Sequence, residues 1–200
     1  MRKLTVDDIV DMRAYERERD EFRARIIETK KRRRIGLGPL MTIVFENTDT
    51  MRFQIQEMAR AEKMLRDEQI EHEVATYNEL IPEPGELSGT LFIEITDNAE
   101  LRVWLPKLVG IQRAVAFEVA GERAPAVEID EERLTREDEI TSTVHYLRFR
   151  FTPAQQAAFA AGPVRLVVDH PEYRAEVDLS PDQRIELASD FVADPPGSPA

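Results

Sequence analysis

The chain has no cysteine among its 200 residues. That absence excludes a disulfide framework, a thiolate metal site, an iron–sulfur cluster held by the chain itself and a cysteine nucleophile. Long apolar runs are also missing. The longest, over 36–45, has about ten residues and is broken by Pro39 and Thr42, whereas a membrane span needs about 20. No apolar stretch follows Met1, because Asp7, Asp8, Asp11 and Arg13 come at once, so no secretory signal is expected. Together these point to a cytoplasmic protein with no membrane partner. Positive charge is scarce: 27 Lys and Arg face 39 Asp and Glu, a net charge of −12. Phosphate contacts need a net basic surface, so nucleic-acid binding is not expected. Two catalytic loops are absent as well. Gly36-Leu37-Gly38 lacks the Gly-Lys-Ser/Thr of a phosphate-binding loop, and no Gly-x-Ser-x-Gly elbow occurs.

What is present is ordinary globular material, 42% hydrophobic. Thr5-Val6-Asp7-Asp8 has the capping-box pattern and predicts a helix over 5–31. Its residues Ile9, Met12, Tyr15, Phe22 and Ile26 recur at steps of three, four or seven, which is one helical face, and Arg19 interrupts that stripe. The basic run from Lys30 to Arg34 suits a helix C-terminus, with Gly36 and Gly38 as the stop. Residues 39–46 read as a short buried strand or extended segment. A second helix is predicted over 49–68, with Met51, Ile55, Met58 and Leu65 as its core stripe and Glu62 in the gap. A third, or its continuation, covers 68–77.

From Leu87 the period becomes two, with strands predicted over 87–96, 112–119, 124–129, 141–151, 164–169 and 173–179. A helix is predicted over 97–108, and 130–139 is a charged connector. Two further capping boxes, at Thr152 and Ser180, open helices over 153–160 and over 181–192. The tail, 193–200, is rich in turn formers and is expected to be disordered. The class is α+β. A helical region, 1–85, is packed on or followed by a mixed region, 86–192, with an antiparallel sheet of five or six strands.

The chain has only three histidines, His72, His145 and His170. Together with Glu57 they are chemically adequate ligands for iron or zinc. No pair lies at i, i+4 on one helix, and Gln69-x-x-His72 and Glu57-x-x-Arg60 both miss the Glu-x-x-His pattern of di-iron bundles. The competing reading is a solvated helix residue, a satisfied core residue on the Leu147/Phe149 side and a turn residue. On the second helix, Arg52 and Arg60 are candidates for an anion or cofactor pocket. Against that stand intrahelical pairs, Glu57 with Arg60 and Glu62 with Arg66. If the first two helices pack antiparallel, Arg19 and Glu62 could pair across them.

The segments from Gly38 to Asn47 and from Met51 to Glu62, with Tyr77-Asn-Glu-Leu-Ile-Pro82, Leu87-Ser-Gly-Thr-Leu-Phe-Ile-Glu94, Val144-His-Tyr-Leu-Arg-Phe149 and Gly162-Pro-Val-Arg-Leu-Val-Val-Asp-His-Pro171, resemble the bacterial family called domain of unknown function 3501. The likeness covers about 1–190. Genes of that family are often found beside those for rubrerythrin-like and iron–sulfur reductase-like proteins. The resemblance therefore implies a role beside a redox partner. A chain without cysteine suits an accessory protein better than an electron carrier, and a homo-oligomer is expected. The alternative is a metal-binding protein or oxidoreductase built on the histidines.

Overall fold

The computed structural model describes residues 1–129 and 140–192. The expected connector and tail lie outside the described residues. Helix α1 (Met12–Arg33) is capped by Asp11, whose carboxylate accepts from the amides of Arg13 and Ala14. The capping box at Thr5 opens only a 3₁₀ turn, Val6–Asp8, so the helix predicted over 5–31 is two elements. No glycine stops α1. The chain passes from Arg33 straight into a strand, because Ile35 and Leu37 alternate inward.

Among the described residues eight strands follow: β1 (Arg34–Leu37), β2 (Met41–Glu46), β3 (Glu86–Ile93), β4 (Val115–Val119), β5 (Glu122–Glu128), β6 (Val144–Arg150), β7 (Val164–His170) and β8 (Tyr173–Asp178). They form one sheet in the order β1-β2-β3-β6-β5-β4-β7-β8, antiparallel throughout. The sheet curls into a nearly closed barrel. Its two edges meet where the Tyr173 hydroxyl of β8 donates to the Leu37 carbonyl and accepts from the Leu40 amide. Gly38, at φ +69°, lets the β1–β2 turn pass beneath that hydroxyl. An eight-stranded barrel is just wide enough for side chains to fill. Phe45, Phe117 and Phe149 fill this one, with ring centroids 4.9–6.1 Å apart.

The expected sheet of five or six strands is therefore corrected to eight. The two strands beyond those six lie in the region read as helical: β2 is the short buried strand expected over 39–46, β1 was not expected, and one core joins that region to the rest. Every residue of β2 is buried, since helices cover its outer face, so it shows no alternation. The strand expected over 112–119 begins only at Val115, after a 3₁₀ turn, Ile111–Ala114.

One end of the barrel is covered by α4 (Asn98–Lys107), where Leu101, Trp104 and Leu105 pack on the core. The other is covered by α5 (Pro153–Ala161), α6 (Pro181–Ala188) and the turn Ser189–Phe191, which bring Phe159 and Phe191 against Phe151. The last helix thus stops at Ala188 rather than near 192. Helices α2 (Thr48–Ala61) and α3 (Asp67–Asn78) lie outside the sheet, where Met51, Ile55 and Val74 cluster with Tyr146. α1 packs antiparallel to α2, bringing Phe22 to 5.5 Å from Phe53.

Candidate functional site

The helix predicted over 49–68 ends seven residues early, and that break creates a cleft. Met64 N–H donates to the Ala59 carbonyl and Lys63 N–H to the Arg60 carbonyl, with Lys63 at φ +52°. This is a Schellman termination built on a lysine instead of the usual glycine. α3 then starts in a new direction, with Asp67 and Glu68 at the favourable end of its dipole. Leu65 leaves the expected core stripe and stands on the elbow, 81% exposed.

Between the N-terminal 3₁₀ turn, the start of α1 and this elbow lies a cavity of about 180 Å³. Its floor includes Val6, Ile9, Ala59, Met64 and Ile70. Of its polar lining, Asp11, Tyr15, Gln56 and Arg60 are already bonded within the protein, and Asp67 is exposed. Gln56 accepts from the Val10 amide at 2.8 Å and donates to the Val10 carbonyl at 3.2 Å. The Tyr15 hydroxyl donates to Glu57 Oε1 at 2.7 Å.

Glu57 is the electrostatic centre of the α1–α2 seam. Arg19 donates to both its oxygens, at 2.7 and 2.8 Å. That guanidinium, with the Tyr15 hydroxyl, holds the Glu57 carboxyl down at about 2. Burial, and the Glu57 carboxylate beside it, push the Tyr15 phenol up. Arg19 therefore pairs with Glu57 and not with Glu62, which lies beyond the end of α2. The intrahelical pairs are replaced in the same way. Arg60 pairs with Glu16 on α1, and Arg66 reaches Gln69 at 3.5 Å. Arg52 donates to the Asp8 carbonyl at 2.9 Å and lies over the Phe22 ring at 5.4 Å. Arg52 and Arg60 thus line separate cavities and do not converge on one anion.

The three histidines are not brought together either. His72 is exposed on α3, beside a shallow groove with Glu62, Glu68 and Glu73. His170 ends β7, where Nε2 donates to the Val109 carbonyl at 3.0 Å and Nδ1 accepts from the Glu172 amide at 3.2 Å. His145 is fully buried inside the barrel. Its Nδ1 is 2.8 Å from Glu128 Oε1, and its Nε2 is 3.1 Å from both Thr141 Oγ1 and the Ser142 carbonyl. Among the described residues no three His, Asp or Glu side chains group so as to hold a metal ion, so iron or zinc finds no ligand set there.

Residues 3–191 match the family described as "Protein of unknown function (DUF3501)". The chain belongs to the DUF3501 family. It is also similar to a crystal structure from Burkholderia pseudomallei K96243, a novel protein of unknown function. The two are 35% identical with a TM-score of 0.89, over 96% of this chain and 100% of that one. No curated protein matches.

In this DUF3501 chain, sequence reasoning missed Glu128 and Thr141. Carboxylate, imidazole and hydroxyl stand in the order of a nucleophilic triad. His145 and Thr141 are 0% and 3% exposed, however, so the set fastens β5 and β6 to residues 141–142 and does not face a substrate. Only the β5–β6 register brings Glu128 near, and no local pattern announces that. Four of the five residues of the basic run are also absorbed. Lys31 pairs with Glu28, Arg32 with Glu186, Arg33 with Asp190 and Arg34 with Glu94. Among the described residues no helix is long and apolar enough to cross a membrane.

Proposed function

We propose that this chain is a cytoplasmic, non-enzymatic accessory protein that docks a redox partner of the rubrerythrin-like or iron–sulfur class. The observation that carries the reading is the contrast at the α1–α2–α3 junction. The ionisable groups of the seam are consumed by one another, while a cavity of mixed apolar and polar lining stays open beside an 81% exposed leucine. Groups already paired offer little to a reaction. An open, partly apolar cleft with an exposed anchor on its lip suits recognition of another protein. The partner class comes from the family's gene neighbours, and the acidic surface suits a partner of opposite charge.

The test is capture by the tagged full-length chain from its own cells, followed by reconstitution with the purified redox protein. Stoichiometric recovery of a rubrerythrin-like or iron–sulfur protein, lost on Leu65→Asp, is the expected result. Recovery of nothing but a homo-oligomer would overturn the reading.

A further inference from the structure

The elbow between α2 and α3 has a charge as well as a shape. Residues 62–73 carry five carboxylates against Lys63 and Arg66, an excess of three negative charges. No ion pair joins Glu62, Glu68 or Glu73 to a cation among the described residues; Arg66, in the same groove, reaches Gln69, and Arg60, in the cleft wall, is spent on Glu16. Asp67 and Glu68 also complement the α3 N-terminus. Glu62 and Glu73 have no such duty. Burial pushes the Tyr77 phenol up, and Glu73 and Glu62 add to it, so their field reaches into α3.

From these features we infer that the docked segment is basic and amphipathic, with one apolar side chain in the cavity and Lys or Arg on the acidic elbow. This rests on the accessory reading above and names what the cleft accepts. A cavity of about 150 Å³ takes up benzene, so about 180 Å³ suits a single leucine, methionine or phenylalanine. Covering Gln56 and Tyr15 strands no polar atom, because both are already bonded within the protein, and the exposed Asp67 carboxylate is left to the segment's Lys or Arg. Met64 and Leu65 extend the apolar contact onto the lip, and the carboxylates ring it as a polar rim. An anionic ligand would be repelled. A second copy of this chain is also disfavoured, since its net charge is −12 and four of the five cations in its basic run are engaged in ion pairs.

The experiment titrates the full chain with a helical peptide of leucine and lysine in amphipathic register, and with its glutamate-for-lysine counterpart, at low and high salt. The lysine peptide should bind, and its affinity should fall about tenfold or more as salt rises. Leu65→Asp should weaken it at least about tenfold, and Glu62→Lys with Glu68→Lys should remove most of the salt dependence. Since all three side chains are exposed, folding is not threatened. Equal binding of the two peptides, or binding indifferent to Leu65→Asp, would overturn the inference. Capture of a redox partner that ignores the charge reversals would also overturn it while sparing the accessory reading. Binding of the lysine peptide with no redox partner captured would do the reverse.

Discussion

The Arg33 guanidinium and the Asp190 carboxylate meet in the protein interior although 157 residues separate them along the chain. Both are essentially out of solvent, at 1% and 0% exposure. Arg33 also donates to the carbonyls of Phe45 and Glu46, at 2.9 and 3.3 Å, and reaches Glu186 on α6 at 3.3 Å. Burial pushes the Asp190 carboxyl up, and Arg33 opposes it. The pair ties the end of α1 and strand β2 to the C-terminal turn that covers the barrel.

Removing one member leaves the other as an uncompensated buried charge. Asp190→Ala should lower stability by about 3–5 kcal/mol. Replacing both, as Arg33→Met with Asp190→Leu, should cost clearly less than either single change. Urea unfolding midpoints read both effects, and a single variant as stable as the parent would show the pair to be idle.

Glu57 predicts an acid limb in the stability profile. Its carboxyl is held at about 2 against an ordinary 4.5. A depressed acid contributes stability that is complete above its unfolded pKa and is lost as pH falls through the folded one. The loss attributable to Glu57 should therefore run from pH 4.5 down to about 2. Glu57→Gln should flatten that limb and cost about 1 kcal/mol at neutral pH, a modest figure because the pair is partly exposed. Thermal midpoints measured against pH check the shape.

His145 and Glu128 should behave as a unit. His145→Leu removes the donor to a carboxylate that is 3% exposed and should cost about 2–4 kcal/mol. Adding Glu128→Met to His145→Leu should recover part of that loss. Additive costs in this double-mutant cycle, read by denaturant unfolding, would show that the two groups act independently.

Gly38 should tolerate no side chain. A Cβ there would lie 2.5 Å from the Tyr173 hydroxyl, on a backbone at φ +69°. Gly38→Ala should cost about 1–2 kcal/mol in backbone strain alone, with the broken Tyr173 bridge in addition. Tyr173→Phe, which loses the bridge without the strain, should cost less. Amide exchange along β1 and β8 should quicken in both variants.

Much of the fold was legible where the signal is local. The caps at Thr152 and Ser180 and the alternation from Val144 to Phe151 appear in the structure as read from their neighbours. The same holds for His145, which lies on the Leu147/Phe149 side as a satisfied core residue. β2 was expected as a short buried strand or extended segment but not as part of the sheet, because burial on both faces erases the alternation that marked the other strands. The α2–α3 break was harder still, since a lysine takes the left-handed position where glycine would have signalled the stop.

Composition alone removes thiol chemistry and leaves an acidic surface, and short-range pattern places most caps, strands and helices within a few residues. Both follow from atoms close together along the chain. Which strands neighbour one another, that Arg19 meets Glu57 rather than Glu62, that Arg33 is sealed against Asp190, and that the three histidines lie apart all depend on segments distant in sequence. Burial and pairing there are set by how the sheet curls and where the helices stop, so they emerge only once the barrel has closed.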